Sequence, residues 1–279
     1  MIYPLLAAAI DAVALVITKR SLGVFKQLTN QAFSFWLFIF IVAVGLITLP
    51  WTGHIDPQAF SLNYIFLILI MVILAANYNL LYYYSLKHER VSQLEPLLLF
   101  NPLLTIVIAG LVYPDERAWQ IYLSTILAAT LLVWSRWHAG SIKWDRAMWA
   151  MVGFAVLYGI EVAIIRQLLN VYSPISLYLV RCATTGLFLW ILGRGRVPLI
   201  SWRQAGYLLG LAISAVVATG LVYFSYHAAG VGATVMVMII SPVLVYGLSA
   251  VVLKEKISFR DIVASIGVVL LILWATLSR

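Results

Sequence analysis

Apolar residues run through this chain in long blocks, and most of the charged residues are held in the short connections between them. The blocks at 2–18, 31–49, 62–85, 92–112, 119–137, 147–168, 174–192, 203–226, 231–253 and 259–277 are each near the roughly 20 residues a helix needs to cross the hydrocarbon of a bilayer. Inside lipid a backbone must satisfy its own N–H and C=O groups, and the helix does so within one segment. The pattern therefore predicts an all-α integral membrane protein of ten transmembrane helices. Short connections make neighbours in sequence mostly antiparallel neighbours in space.

The blocks also repeat. Displacing the sequence by 140 residues brings Pro102 onto Pro242, Leu104 onto Leu244, Asp115 onto Glu255, Trp119 onto Phe259, Ile126 onto Ile266 and Trp134 onto Trp274. Carried backwards, the same register pairs Leu81 with Leu221, Tyr83 with Tyr223, Ser85 with Ser225 and Val91 with Val231. Residues 1–140 and 141–279 read as one five-span unit written twice. Because five is odd, the second unit enters the membrane from the opposite side. Two inverted five-helix repeats around a central cavity are the expected architecture, which is a plan of secondary transporters.

Composition agrees with a lipid environment: 64% of residues are hydrophobic, 10% are charged, and mean hydropathy is +1.02. A net charge of +8 would suggest a polyanion partner in a soluble protein, but here the cations sit in connections, where they set orientation. No nucleic-acid partner is expected. Fourteen Lys and Arg lie in the odd-numbered connections, against Arg117, Arg166 and Arg279 on the other side. By the positive-inside rule the odd connections face the cytoplasm and both termini face away from it. The start has no basic leader region and carries Asp11 within its apolar run, so it reads as a retained first span. Cys182 stands alone, which leaves no disulfide framework or metal cluster. No phosphate loop, paired His ligands or Ser/His/Asp arrangement is present, so neither an enzyme nor a cofactor is expected.

Candidate chemistry lies inside the spans. Pro102 and Pro242 fall near mid-span, where each removes a helical hydrogen bond and strands the carbonyl four residues earlier, at Leu98 and Met238. Broken helices at matching places in inverted halves point to a transport site, and the two prolines are read as hinges; the plainer alternative is a kink for packing. Asp11, Glu161 and Arg181 are the mid-span ionisable residues, each costly there by about 2.5 to 3.5 kcal/mol unless it faces an interior or a partner. Glu161 is open to two readings, a proton carrier or an ion pair with Arg181. Asp11 has no evident basic partner and reads as a proton carrier. Arg181 reads as that partner or as a grip on a substrate carboxylate.

Polar lining is expected from Asn79 and Tyr83 on one helix face and from Thr219, Tyr223 and His227 on another, each set at four-residue spacing. Asn77, Tyr82 and Tyr84 lie nearby, and Asn101 adjoins Pro102. Trp36, Tyr158, Tyr178 and Tyr246 are candidates for flat walls with a polar edge, although core packing is the commoner role of a mid-span aromatic. Trp51, Trp119, Trp137, Trp144 and Trp202 read as interfacial anchors. Gly206 and Gly210 form a small-xxx-small pair that would let helices approach closely.

These residues also carry a resemblance. Each copy has a Pro-containing span, an acidic hairpin (Tyr113-Pro114-Asp115 and Leu253-Lys254-Glu255) and a small-residue final span such as IGVVLLIL at 266–273. With Tyr158-Gly159 before Arg166, and Ser173-Pro174 before Arg181, this resembles the EamA-type branch of the drug/metabolite transporter superfamily over essentially the whole chain. Two departures are Pro114 in place of Gly and Phe38 where a counterpart of Arg181 would stand. The resemblance implies a multi-pass protein of the plasma (inner) membrane, a ten-helix basket and alternating access. The expected activity is export of an amino acid or similar small polar metabolite by a monomer in the bilayer. Exchange of a nucleotide sugar or other anion, or a part in flipping a lipid-linked sugar, are the alternatives.

Overall fold

The structure, a computed structural model, describes residues 2–25, 28–89, 91–113, 119–138, 141–142, 145–238, 240–248, 251–252 and 259–277. In chain order the elements are α1 (Ile2–Val24), α2 (Asn30–Thr52), a 3-10 turn (Pro57–Phe60), α3 (Leu62–His88), α4 (Val91–Val112) and α5 (Trp119–Arg136). After a two-residue hairpin, β1 (Trp137–His138) and β2 (Ser141–Ile142), come α6 (Arg146–Leu168), α7 (Pro174–Leu192), α8 (Trp202–Met238), α9 (Ile240–Leu248) and α10 (Phe259–Leu277). Six helices among the described residues, α1, α2, α3, α6, α7 and α8, are long and apolar enough to cross a membrane. The protein is thus a multi-pass helical membrane protein. The acidic hairpins around Asp115 and Glu255, and Trp144, fall outside the described residues.

Local chemistry sets the helix starts. Thr29 accepts from the Ala32 N–H at α2, Asp145 from Met148 at α6, and Ser173 from Ser176 at α7, where Pro174 follows in the first helical position. Large apolar side chains cover the outside, among them Leu46, Ile47, Leu62, Phe66 and Trp202. Polar groups such as Ser34, Asn79, Glu161, Arg181 and Thr185 are buried. That distribution suits a lipid solvent, in which a polar group finds its partners only inside the bundle.

Helices α2 and α7 run antiparallel and are tied at both ends. At the start of α2, Gln31 Nε2 donates to the Leu189 carbonyl near the end of α7 at 2.7 Å. Just past the end of α2, the His54 N–H donates to the Ser173 and Ser176 hydroxyls at the start of α7, at 3.0 and 3.1 Å. Asp56 N–H to Val171 O at 2.8 Å and Ser173 N–H to His54 O at 2.9 Å complete a short antiparallel bridge between the two connections. Between the ends the backbones close in, since a Cβ on Gly45 would lie 2.2 Å from Leu179 Cδ2. Helices α5 and α10 are also antiparallel: Trp119 meets Trp274 edge-on at 5.9 Å, and Leu131 packs on Gly267.

One expectation is corrected here. Nothing approaches within 4 Å of a Cβ built on Gly206 or Gly210, so this pair does not mediate close helix packing within the chain. Helix α4 runs without a break through Pro102, because one missing hydrogen bond can be absorbed by a bend. In the second half α8 is described to Met238 and α9 from Ile240, and residue 239 between them lies outside the described residues.

Helix α8 also changes direction at Gly230, where φ is 82° and ψ is 168°. This backbone region is essentially confined to glycine, because a Cβ would collide with the chain. Gly230→Ala is expected to destabilise the protein by about 1 to 3 kcal/mol, read as a lowered melting temperature in lipid nanodiscs.

Candidate functional site

Eight helices line a cavity of about 370 Å³. Helix α1 brings Asp11, Ala14 and Thr18; α3 brings Tyr78, Asn79, Tyr82 and Tyr83; α4 brings Leu98, Asn101 and Thr105. Helix α6 contributes Phe154, Tyr158 and Glu161, α7 contributes Arg181, and α8 contributes Ser214, Thr219, Tyr223 and Tyr226. Leu37 of α2, Met238 at the end of α8, and Ser241 and Val245 of α9 complete much of the wall.

One charged pair is sealed into this wall. Arg181 Nε donates to Glu161 Oε1 at 2.7 Å and Nη2 lies 3.5 Å from Oε2, with both side chains buried. The guanidinium also sits 5.7 Å from the Tyr78 ring and 5.9 Å from the Tyr178 ring, close enough for favourable cation–π contact. Glu161 therefore takes the ion-pair reading of the two. Asp11 differs: it is exposed within the cavity, and the Ser241 hydroxyl approaches its Oδ2 at 3.4 Å. No ion pair to Asp11 occurs among the described residues.

The remaining lining is aromatic and polar. Tyr78 packs edge-on against Phe154 and Tyr158 at 5.6 Å, and Phe154 stacks on Tyr158 at 5.7 Å. Across the chamber Tyr223 stacks on Tyr226 at 6.3 Å. On α4, Asn101 Oδ1 and Thr105 Oγ1 are buried with no hydrogen-bond partner among the described residues. Such atoms are uncommon in native structures and call for a water or a ligand to satisfy them.

Of the sequence candidates, Asp11, Asn79, Tyr82, Tyr83, Asn101, Tyr158, Glu161, Arg181, Thr219 and Tyr223 line the cavity. Trp36 does not, since its indole N–H reaches the Pro198 carbonyl at 2.9 Å and ties α2 to the connection after α7. Asn77 faces away and donates to the Ile73 carbonyl at 2.8 Å. Tyr178 is buried behind the wall, edge-on to Tyr223 at 5.9 Å. His227 is exposed one turn beyond Tyr223. The side chains of Tyr246, Pro102 and Pro242 lie outside the described residues. Leu98 and Met238, whose carbonyls the prolines deprive of an N–H, both line the cavity.

Tyr78, Thr105, Tyr226 and Ser241 were not among the candidates. Tyr78 lies one turn before Tyr82, Tyr226 one turn after Tyr223, and Ser241 is the partner of Asn101 in the 140-residue register. Helical spacing and the repeat would have found three of the four.

A polar, aromatic-lined chamber enclosed by apolar helices, with a carboxylate exposed inside it, defines a membrane transport protein. Residues 145–277 match the model of the EamA-like transporter family. A solved structure described as "Crystal structure of protein" is similar to this chain, with a TM-score of 0.68 at 15% identity, over 97% of this chain and 96% of that one. That likeness is one of fold and spans both halves. No curated protein matches the chain.

Proposed function

We propose that the protein is a secondary transporter that exports amino acids or similar small polar metabolites by alternating access, with residues 1–140 and 141–279 acting as inverted repeats. The antiparallel pairing of α2 with α7 and of α5 with α10 supports the inversion, since each pair joins a helix to its counterpart five places on. Exchanging every helix for its counterpart also turns the packed pair α3/α6 into α8/α1, and α4/α6 into α9/α1, both of which are packed. The plasma membrane, with both termini away from the cytoplasm, is the location that the distribution of basic residues favours.

The observation that carries the reading is the difference between the two acids. Glu161 is neutralised by Arg181, whereas Asp11 faces the cavity with a hydroxyl for company. A lone carboxylate at that depth favours binding a proton on one side of the membrane and releasing it on the other, so Asp11 is assigned the coupling role. Polar ties at both ends of the bundle are suited to serve as gates. Lys19 donates to the carbonyls of Leu86 and Glu89 beyond one end of the cavity. The His54–Ser173 bridge lies at the other end.

Exchange of a nucleotide sugar or another anion would call for free cations in the wall. Among the described lining residues the cation is Arg181, and it is engaged by Glu161. Purified protein in liposomes should therefore accelerate counterflow of at least one small amino acid while leaving nucleotide sugars at the rate of empty vesicles. The opposite ranking would overturn the assignment.

A further inference from the structure

Asp11 has two neighbours that prepare it for more than a proton. The Ser241 oxygen stands 3.4 Å from Asp11 Oδ2 on α9, a helix that packs directly against α1. Met238, also in the wall, carries a main-chain carbonyl that cannot receive the usual N–H from four residues on, because that residue is Pro242. The Asp11 carboxylate and the Ser241 hydroxyl oxygen thus stand together in the wall, three residues along the chain from a carbonyl that Pro242 deprives of its usual donor. All three accept hydrogen bonds. In the repeat register Leu98 and Asn101 correspond to Met238 and Ser241, and α6 to α1, but Met151 stands where Asp11 does, so the two corners differ in charge.

The partner that satisfies such a corner is a cation with several N–H donors. A primary ammonium offers three, with a full positive charge to neutralise Asp11. A quaternary ammonium offers charge without donors, and a hydroxyl offers one donor without charge. Arg181 does not compete for the place, because its Nε and Nη2 are turned to Glu161. The tyrosines of the same chamber, Tyr158, Tyr223 and Tyr226, supply apolar faces for the rest of the molecule.

We propose that Asp11, Ser241 and the main-chain carbonyl of Met238 form a subsite for the ammonium group of an amine or amino-acid substrate. The proposal rests on the transport reading of this cavity and names the group that the cavity recognises. It also makes substrate and proton alternative occupants of the same carboxylate.

The test uses full-length protein in lipid nanodiscs and three probes of one shape: 2-phenylethylammonium, 2-phenylethanol and N,N,N-trimethyl-2-phenylethylammonium, with affinity measured by calorimetry. Hydrogen bonds to a charged group predict that the primary ammonium binds at least about tenfold tighter than either of the others. Ser241→Ala should weaken the ammonium about tenfold and leave the alcohol unchanged, and Asp11→Asn should abolish the preference. Equal binding of the alcohol would overturn the role of Asp11. Equal or tighter binding of the quaternary probe would assign the cation to ring faces and overturn the oxygen subsite. Because the three probes are compared on the unaltered protein, a variant that fails to fold leaves the test intact. Counterflow that proceeds without any preference for amines sinks the subsite alone, and amine preference without counterflow of any substrate sinks the transport reading alone.

Discussion

Glu161→Gln is expected to destabilise the folded protein by about 3 to 5 kcal/mol, the usual cost of removing one partner from a buried ion pair. The size of the effect follows from what remains. Arg181 keeps its charge and, at 8% exposure, cannot recover the water it gave up on folding. The carbonyl of Gln can still accept a hydrogen bond from Nε, but it brings no negative charge. Replacing both residues, as Glu161→Leu with Arg181→Met, should recover most of the loss, since an apolar pair carries no desolvation cost. Thermal or denaturant unfolding in nanodiscs measures both variants. A loss below about 1 kcal/mol for the single change would mean that the pair behaves like a solvated surface bridge.

The second large effect is on coupling. With one proton moved per substrate, a gradient of one pH unit supports about a tenfold accumulation, and Asp11→Asn should reduce that to equality across the membrane. Exchange at equal pH should persist in this variant to the extent that the cavity still accepts substrate. Accumulation driven by a pH jump in proteoliposomes reads the first quantity, and counterflow reads the second. An Asp11→Asn protein that keeps the full pH dependence would move the coupling group elsewhere. The Glu161–Arg181 pair is then the remaining candidate in the described wall.

Much of the site was legible because span position and helical spacing are written in the chain. Asp11, Glu161 and Arg181 stand out as the ionisable residues of the span interiors, and all three line the cavity. Tyr83, Thr219 and Tyr223 lie there too, as their four-residue spacing requires. Failures came where a residue's partner is decided by a distant segment. Trp36 looked like a wall residue, but the Pro198 carbonyl, 162 positions away, takes its N–H. Asn77 and Asn79 differ by two positions and hence by more than half a turn, and tertiary packing turned Asn79 inward and Asn77 outward. Gly206 and Gly210 have the sequence form of a packing motif, yet no neighbouring helix lies against them. Phe38, which stands where a second arginine was sought, is instead packed on Gly186 in the α2/α7 seam.

By itself the sequence determined the solvent, the helical class, the places of the helices and the internal duplication. Those follow from local matters: the length of apolar runs, capping residues, and the demand that a backbone in lipid satisfy itself. Only the tertiary structure decided that Glu161 belongs to Arg181, that Asp11 is left with Ser241, and which face of each helix looks into the chamber. In a span that is apolar all round, the hydrophobic pattern carries little record of which side meets a neighbour and which meets lipid. The choice falls to close contacts and to hydrogen bonds between segments far apart in the chain.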